Sequence, residues 1–240
     1  VGKACTGASV RENHNVSVKL SALHPRFTES QRAKCLPALQ HKVLTLARLA
    51  KSYGMGMSLD AEECSRLELS MDVFEWLCNH QDLSDWSGLG FVLQAYQKRS
   101  IAVAKWLVEL ATARPLGFMV RLVKGAYWDT EIKIAQQLGL EDYPVFTEKA
   151  HTDLSYEACM HTLLSSNRIY CQFATHNARS VAQVVEVTEN REASFELQKL
   201  HGMGDLLYTL VGEHYPNIPV RTYAPVGQHE DLLPYLVRRL

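Results

Sequence analysis

The 240 residues are 47% hydrophobic and 21% charged, with a formal net charge of -1. That is a globular composition on a chain long enough for one large core. Near-neutrality excludes a field that would draw the chain to nucleic acid or to anionic lipid, and there is no basic tract. No apolar run approaches membrane-spanning length, and the opening Val-Gly-Lys-Ala-Cys-Thr lacks the apolar stretch of a signal peptide.

Short apolar strands alternate with longer amphipathic helices along the chain. A strand is expected over Val16–Leu20 and a helix over Ser30–Ser52, then a strand over Gly56–Asp60 and a helix over Ala61–Asn79. In that second helix Leu67, Met71, Phe74 and Leu77/Cys78 recur at helical spacing. Next come a strand at Gly90–Ala95 with a helix at Arg99–Thr112, and a strand at Phe118–Val123 with a helix at Tyr127–Leu138. A very short strand at Pro144–Phe146 precedes a helix at Asp153–Ser165. Strands at Ile169–Ala174, Glu196–Leu200 and Pro219–Tyr223 are followed by helices at Ala178–Glu189, Gly204–His214 and Gly227–Arg239. Eight such strand–helix units imply parallel strands with right-handed crossovers and favour a single-domain (β/α)8 TIM-like barrel.

In such barrels chemistry sits where strands end. Lys19, Asp60, Gln94, Arg121 with Lys124, His176 with Asn177, His201 and Tyr223 all fall there. Loops are polar anyway, which accounts for about half of them. It accounts less well for a cation inside or at the end of an apolar run, as in Val-Ser-Val-Lys-Leu and Phe-Met-Val-Arg-Leu, because ionised groups are rarely buried unpaired. Lys19 and Asp60, at the tops of the neighbouring first and second strands, are expected to lie close enough to pair. Near the end of the chain Arg238 and Arg239 follow Tyr235 at helical spacing, so two cations and a ring can converge on a small carboxylate. The same segment also reads as a basic, solvated helix end.

Several plainer readings stand beside these. Lys19 or Lys124 suits a Schiff-base lysine of an aldolase-type barrel. His176 and His201 read as satisfied loop histidines, Tyr127 and Trp128 as core aromatics, and Cys171 and Met203 as packing residues. Cys5, Cys35, Cys64, Cys78, Cys159 and Cys171 form no Cys-x-x-Cys pair and read as reduced thiols in a reducing compartment. The ten histidines are scattered, so no metal site is expected.

Eight blocks, in order and across the whole chain, carry a resemblance. They are Val-Ser-Val-Lys-Leu-Ser-Ala-Leu-His-Pro-Arg-Phe from Val16, Ser-Leu-Asp-Ala-Glu-Glu from Ser58, Leu-Gln-Ala-Tyr-Gln-Lys-Arg from Leu93, and Arg-Leu-Val-Lys-Gly-Ala-Tyr-Trp-Asp from Arg121. Phe-Ala-Thr-His-Asn from Phe173, Leu-His-Gly-Met-Gly from Leu200, Tyr-Ala-Pro-Val-Gly from Tyr223 and the closing Tyr-Leu-Val-Arg-Arg-Leu complete the set. Together they resemble the proline dehydrogenase domain of the bifunctional proline utilisation A flavoproteins. The resemblance implies a (β/α)8 barrel that binds FAD, oxidises L-proline to Δ1-pyrroline-5-carboxylate and passes the electrons to a membrane quinone. The absence of a Gly-x-Gly-x-x-Gly fingerprint agrees with a family whose barrel carries its flavin without one.

Carried over by residue, the resemblance gives Lys19, Arg238 and Arg239 as a carboxylate clamp. Tyr223 and Tyr235 cover the substrate ring, and Leu200 is an apolar wall. Asp60 organises the pocket beside the lysine, Arg121 lies near flavin N5, and Gln94 bonds the pyrimidine ring. Val123, Lys124, Gly125, Ala126, Tyr127 and Trp128 run along the cofactor, and Thr175, His176 and Asn177 meet its ribityl and phosphate side. Tyr223 would crowd a hydroxyl, which leans toward proline over 4-hydroxyproline.

The resemblance further implies a trimmed domain, residues 1–240, of a larger cytoplasmic protein with an aldehyde dehydrogenase module and peripheral contact with the inner membrane. The family's last helix continues beyond Leu240 to a glutamate that touches the cofactor, a helix usually precedes the first strand, and the loop Asn190–Ala193 is short for the family. A cofactor-poor barrel that merely binds an amino acid stays open as a different class.

Overall fold

In the structure, a computed structural model, residues 1–7, 9–189 and 194–227 are described. Seven strands run parallel and pair strictly in chain order. They are β1 (Asn15–Val18), β2 (Gly56–Leu59), β3 (Leu89–Gln94), β4 (Phe118–Val123), β5 (Ile169–Ala174), β6 (Phe195–Leu200) and β7 (Val220–Tyr223). The helices between them are α1 (Leu20–Leu23), α2 (Arg32–Ser52), α3 (Leu67–Cys78), α4 (Ser100–Ala113), α5 (Trp128–Gln137), α6 (Lys149–Leu164), α7 (Ala178–Thr188) and α8 (Asp205–His214).

Strands β2 to β5 are buried on nearly every residue, whereas the edge strands β1 and β7 are half-buried to exposed. Burial on both faces is why the central strands read as unbroken apolar runs. Helices cover the outer face. On α2 the buried positions Cys35, Leu39, Val43 and Ala47 recur every fourth residue, and on α3 Leu67, Ser70, Val73, Phe74 and Leu77 do the same work. Phe74 of α3 lies with its ring centroid 5.1 Å from that of Phe91 on β3 and 5.0 Å from that of Phe118 on β4. Each such fully buried large side chain contributes about 1.5–3 kcal/mol. One continuous apolar cluster runs from Leu20 to Val211. The turn into β4 requires glycine: Gly117 has φ +62°, and a Cβ there would lie 1.7 Å from the Arg168 carbonyl oxygen.

Pro144–Phe146, expected as the fifth of eight strands, is not part of the sheet. Strands β4 and β5 pair directly, from Phe118↔Ile169 to Leu122↔Phe173, and leave no place between them. Instead the segment clips onto the loop after β3. Lys98 N–H donates to the Pro144 carbonyl (3.0 Å), Phe146 N–H donates to the Tyr96 carbonyl (2.8 Å), and Gln97 and Val145 form an isolated antiparallel bridge. Two helices, α5 and α6, therefore share one crossover, and α6 begins at Lys149, ahead of the expected Asp153. The described residues form a seven-stranded half-barrel. The expected last helix lies outside the described residues beyond Gly227, and so do Asn190–Ala193.

The sheet is nonetheless strongly curled. Arg121 on β4 donates to Ser17 Oγ on β1 and to Gln198 Oε1 on β6, each at 2.8 Å, so side chains meet across its concave face. No helix among the described residues is long and apolar enough to cross a membrane.

Candidate active site

The concave face opens into a cavity of about 1650 Å³. Lys19 and Asp60 border it just beyond β1 and β2, Gln94 at the end of β3, and Arg121, Val123, Lys124, Gly125, Ala126 and Tyr127 in and after β4. Thr175, His176 and Asn177 border it after β5, and Tyr223 at the end of β7. Three described residues singled out from the sequence for the site do not line it: Trp128, Leu200 and the exposed His201. Trp128 opens α5, is 42% exposed and donates its Nε1–H to the Phe146 carbonyl (2.9 Å), so the clip after β3 draws it away. Leu200 is fully buried at the end of β6. Tyr235, Arg238 and Arg239 lie outside the described residues.

Arg121 is 8% exposed and is the most buried of the described cations that line the cavity. Its Nε donates to Gln198 and its NH1 to Ser17, while Asp60 lies 3.8 Å from the same NH1 and the Tyr223 ring 5.7 Å from its guanidinium carbon. The expected pairing of Lys19 with Asp60 is replaced. Backbone register does make them neighbours, with Asp60 N–H donating to the Val18 carbonyl. Yet Lys19 Nζ reaches across to Tyr127 Oη (2.6 Å), and Asp60 faces Arg121. The reason is reach: Arg121 comes from the middle of β4, across the curled sheet, and meets the carboxylate first.

Lys124 donates to Asp153 Oδ1 and Lys149 to Asp153 Oδ2, both at 2.5 Å. Burial alone would raise the Asp153 pKa, but the two ammonium groups outweigh it and hold the carboxyl below the usual range. Gly125, with φ +137°, turns the chain off β4 against the Tyr96 ring, which a Cβ would meet at 2.5 Å. Gln94 is buried and accepts from Gln97 Nε2 (2.8 Å).

After β5, Asn177 caps α7 by accepting from Ser180 N–H (3.0 Å), so a helix N-terminus faces the cavity. His176 Nε2 accepts from Leu200 N–H (3.0 Å), which requires that nitrogen to be unprotonated. Partial burial, then the nearby Lys199 charge, pushes its pKa down. An NMR titration is expected to put the His176 midpoint below the ordinary value of about 6.5. A depressed folded-state pKa means its stabilisation is present above about pH 6.5 and is lost as pH falls through the folded value. His176→Gln should therefore flatten the acid limb of a urea-midpoint profile, and an unchanged limb would contradict this.

Sequence reasoning missed a second polar layer beneath Arg121. Glu196 on β6 is 1% exposed and accepts from Gln198 Nε2 (2.6 Å), Gln172 Nε2 (2.9 Å), Tyr170 Oη (3.2 Å) and Arg221 Nε (2.8 and 3.0 Å). The signal was there: in Phe-Glu-Leu-Gln, the first four residues of β6, polar residues alternate with apolar ones inside a strand. All six cysteines are free; burial pushes the Cys171 thiol up to about 12, which leaves it inert. Among the described residues no cluster of His, Cys, Asp or Glu could hold a metal ion.

A family model described as proline dehydrogenase matches residues 2–240. The chain belongs to the proline dehydrogenase family. The bifunctional protein PutA of Escherichia coli K12 is 49% identical over 247 residues, covering 100% of this chain and 19% of that protein. The PutA of Rhizobium meliloti is 50% identical over 240 residues, covering 98% and 19%. A crystal structure of a Bradyrhizobium japonicum proline utilization A mutant superposes with a TM-score of 0.95 at 51% identity, covering 100% of this chain and 25% of that one. The chain thus spans about a fifth of the length of the curated relatives it matches. Membership of this family places the chain among oxidoreductases.

Proposed function

We propose that this chain forms the site of an FAD-dependent oxidation of L-proline to Δ1-pyrroline-5-carboxylate, with the electrons passed on to a membrane quinone. The observation that carries the reading is the convergence of Lys19, Asp60, Gln94, Arg121, Lys124 and the N-terminus of α7 on one cavity in a chain of this family. That donor set fits a flavin dinucleotide. Arg121 offers a buried cation to an electron-rich ring, Gln94 an amide, and Thr175, His176 and Asn177 at the α7 terminus a seat for phosphate. When bound, the flavin supplies the two-electron redox chemistry.

The chain's own residues bind and orient. Lys19 would hold the substrate carboxylate and Tyr223 would pack its ring, with Tyr235, Arg238 and Arg239 completing the clamp. Fixing both ends of a small substrate supplies several kcal/mol of the barrier, on the order of 7–11 in the best intramolecular cases. A Schiff-base role for Lys124 is disfavoured because its Nζ is already engaged by Asp153 Oδ1 at 2.5 Å.

A closed (β/α)8 barrel is part of the same proposal. Arg221 on β7 donates to the carbonyls of Asn13 and Arg11, just ahead of β1, so the two open edges approach each other. The relatives' length and their description as bifunctional support a parent protein with a second module; that this is an aldehyde dehydrogenase, and that the parent is cytoplasmic and peripheral at the inner membrane, belongs to the same proposal.

The test is the visible spectrum of the intact protein that contains this chain. Flavin bands that bleach anaerobically on adding L-proline are expected. A coloured protein untouched by proline would overturn the substrate, and a colourless one that binds proline-like acids would favour an amino-acid-binding module.

A further inference from the structure

In the wall of the cavity, three side chains stand in a directional row. Glu196 Oε1 accepts from Gln198 Nε2 at 2.6 Å, and Gln198 Oε1 accepts from Arg121 Nε at 2.8 Å. We infer that Gln198, oriented by the buried carboxylate of Glu196, is a positioning residue that fixes the Arg121 guanidinium at the cavity. The inference rests on the flavin-dependent reading of that cavity.

A primary amide has one accepting and one donating end. With a carboxylate on one side and a guanidinium on the other, only one orientation satisfies both neighbours. The flipped amide would set its oxygen against the carboxylate and its NH2 against the cation. Glu196 cannot turn away, because Arg221 grips it through Nε while Gln172 and Tyr170 donate to it from β5.

The other partners of Arg121 are weaker anchors. Ser17 lies on the exposed edge strand β1, and Asp60 stands 3.8 Å away with a quarter of its side chain in solvent. Gln198, 1% exposed, is the buried acceptor. An amide also holds the cation without cancelling its charge, which a carboxylate in its place would do.

Gln198→Met, close in volume and lacking the amide, tests this in the intact, flavin-loaded protein. Flavin content and proline KM should stay within about twofold, while kcat falls about ten- to a hundredfold, the cost of a misplaced group. The Kd for sulfite, a small anion that bleaches oxidised flavins and needs no proline, should rise about tenfold. A crystal structure of the variant, with or without cofactor, should show the guanidinium displaced by about 1 Å or more. If Gln198→Met does not fold, Gln198→Asn serves: it keeps an amide beside Glu196 but is one methylene too short to span from Glu196 to Arg121 Nε, so sulfite affinity and kcat should fall with KM unmoved.

Wild-type kcat and sulfite affinity in a folded variant, or an unmoved guanidinium in Gln198→Met, would overturn the inference. A wild-type protein whose flavin ignores proline would instead overturn the substrate reading, and the sulfite and crystallographic measurements would still decide the role of Gln198.

Discussion

Arg121→Met is expected to lower kcat by about 10²–10³-fold while leaving most of the fold and the flavin content in place. The magnitude is that of removing one preorganised donor from a developing negative charge. It is large here because the guanidinium is 8% exposed, so water cannot take over its role. The cost to the fold is smaller. Asp60, freed of its partner, keeps part of its side chain in solvent, and Ser17 lies on an exposed strand. Gln198 alone loses a buried donor, at about 1–3 kcal/mol. Arg121→Lys should fall between the two, since a point charge cannot reach Gln198 and Ser17 in the fork that Arg121 uses. Steady-state kinetics normalised to flavin content provides the measurement, and a kcat within about threefold of wild type would refute the assignment.

The contrast between Arg121 and Glu196 marks what a sequence can reveal about such a site. Arg121 interrupts an apolar strand, and that interruption alone flags it as functional or specially paired. The residues at strand ends were legible for the same reason: topology sends every carboxyl end to one side, so Lys19, Asp60, Gln94, Thr175 and Tyr223 had to gather. Which of them touch was not legible. Adjacent register suggested Lys19 with Asp60, but the pairing is decided by side-chain reach across the curled sheet, where Arg121 and Tyr127 intervene.

Glu196, Gln172 and Arg221 escaped notice because strand alternation shows two faces without saying that both are buried. Pro144–Phe146 misled for a related reason. A three-residue extended segment has the composition of a strand, but its pairing with Tyr96 and Lys98 is set by how β4 and β5 close on each other. The expected carboxylate clamp of Arg238 and Arg239 falls outside the described residues, and its meeting with Lys19 stays a proposal.

Arg221→Met should be the most destabilising single change in the bore, by about 3–5 kcal/mol, because it strips the cation from a buried carboxylate. Glu196 is 1% exposed, and Arg221 is the cation that grips both of its oxygens. Its other donors, the Gln172 and Gln198 amides and the Tyr170 hydroxyl, are neutral; burial, then Glu196 itself, pushes the Tyr170 pKa up, so that hydroxyl keeps its proton to donate. Neutral donors ease the desolvation of a carboxylate without balancing its charge. Arg221 also bonds the carbonyls of Asn13 and Arg11, so its loss loosens a tie between β7 and the segment entering β1. For a chain of this size, each kcal/mol lowers Tm by about 2–4 °C, so a drop on the order of 10 °C is expected. Adding Glu196→Gln to Arg221→Met should recover part of that loss, since the uncompensated charge is gone even though the geometry is not restored. Equal Tm values for the single and double variants would show that Arg221 acts through its carbonyl contacts alone, and a Tm unchanged by Arg221→Met would remove the buried ion pair from any account of why this half-barrel holds together.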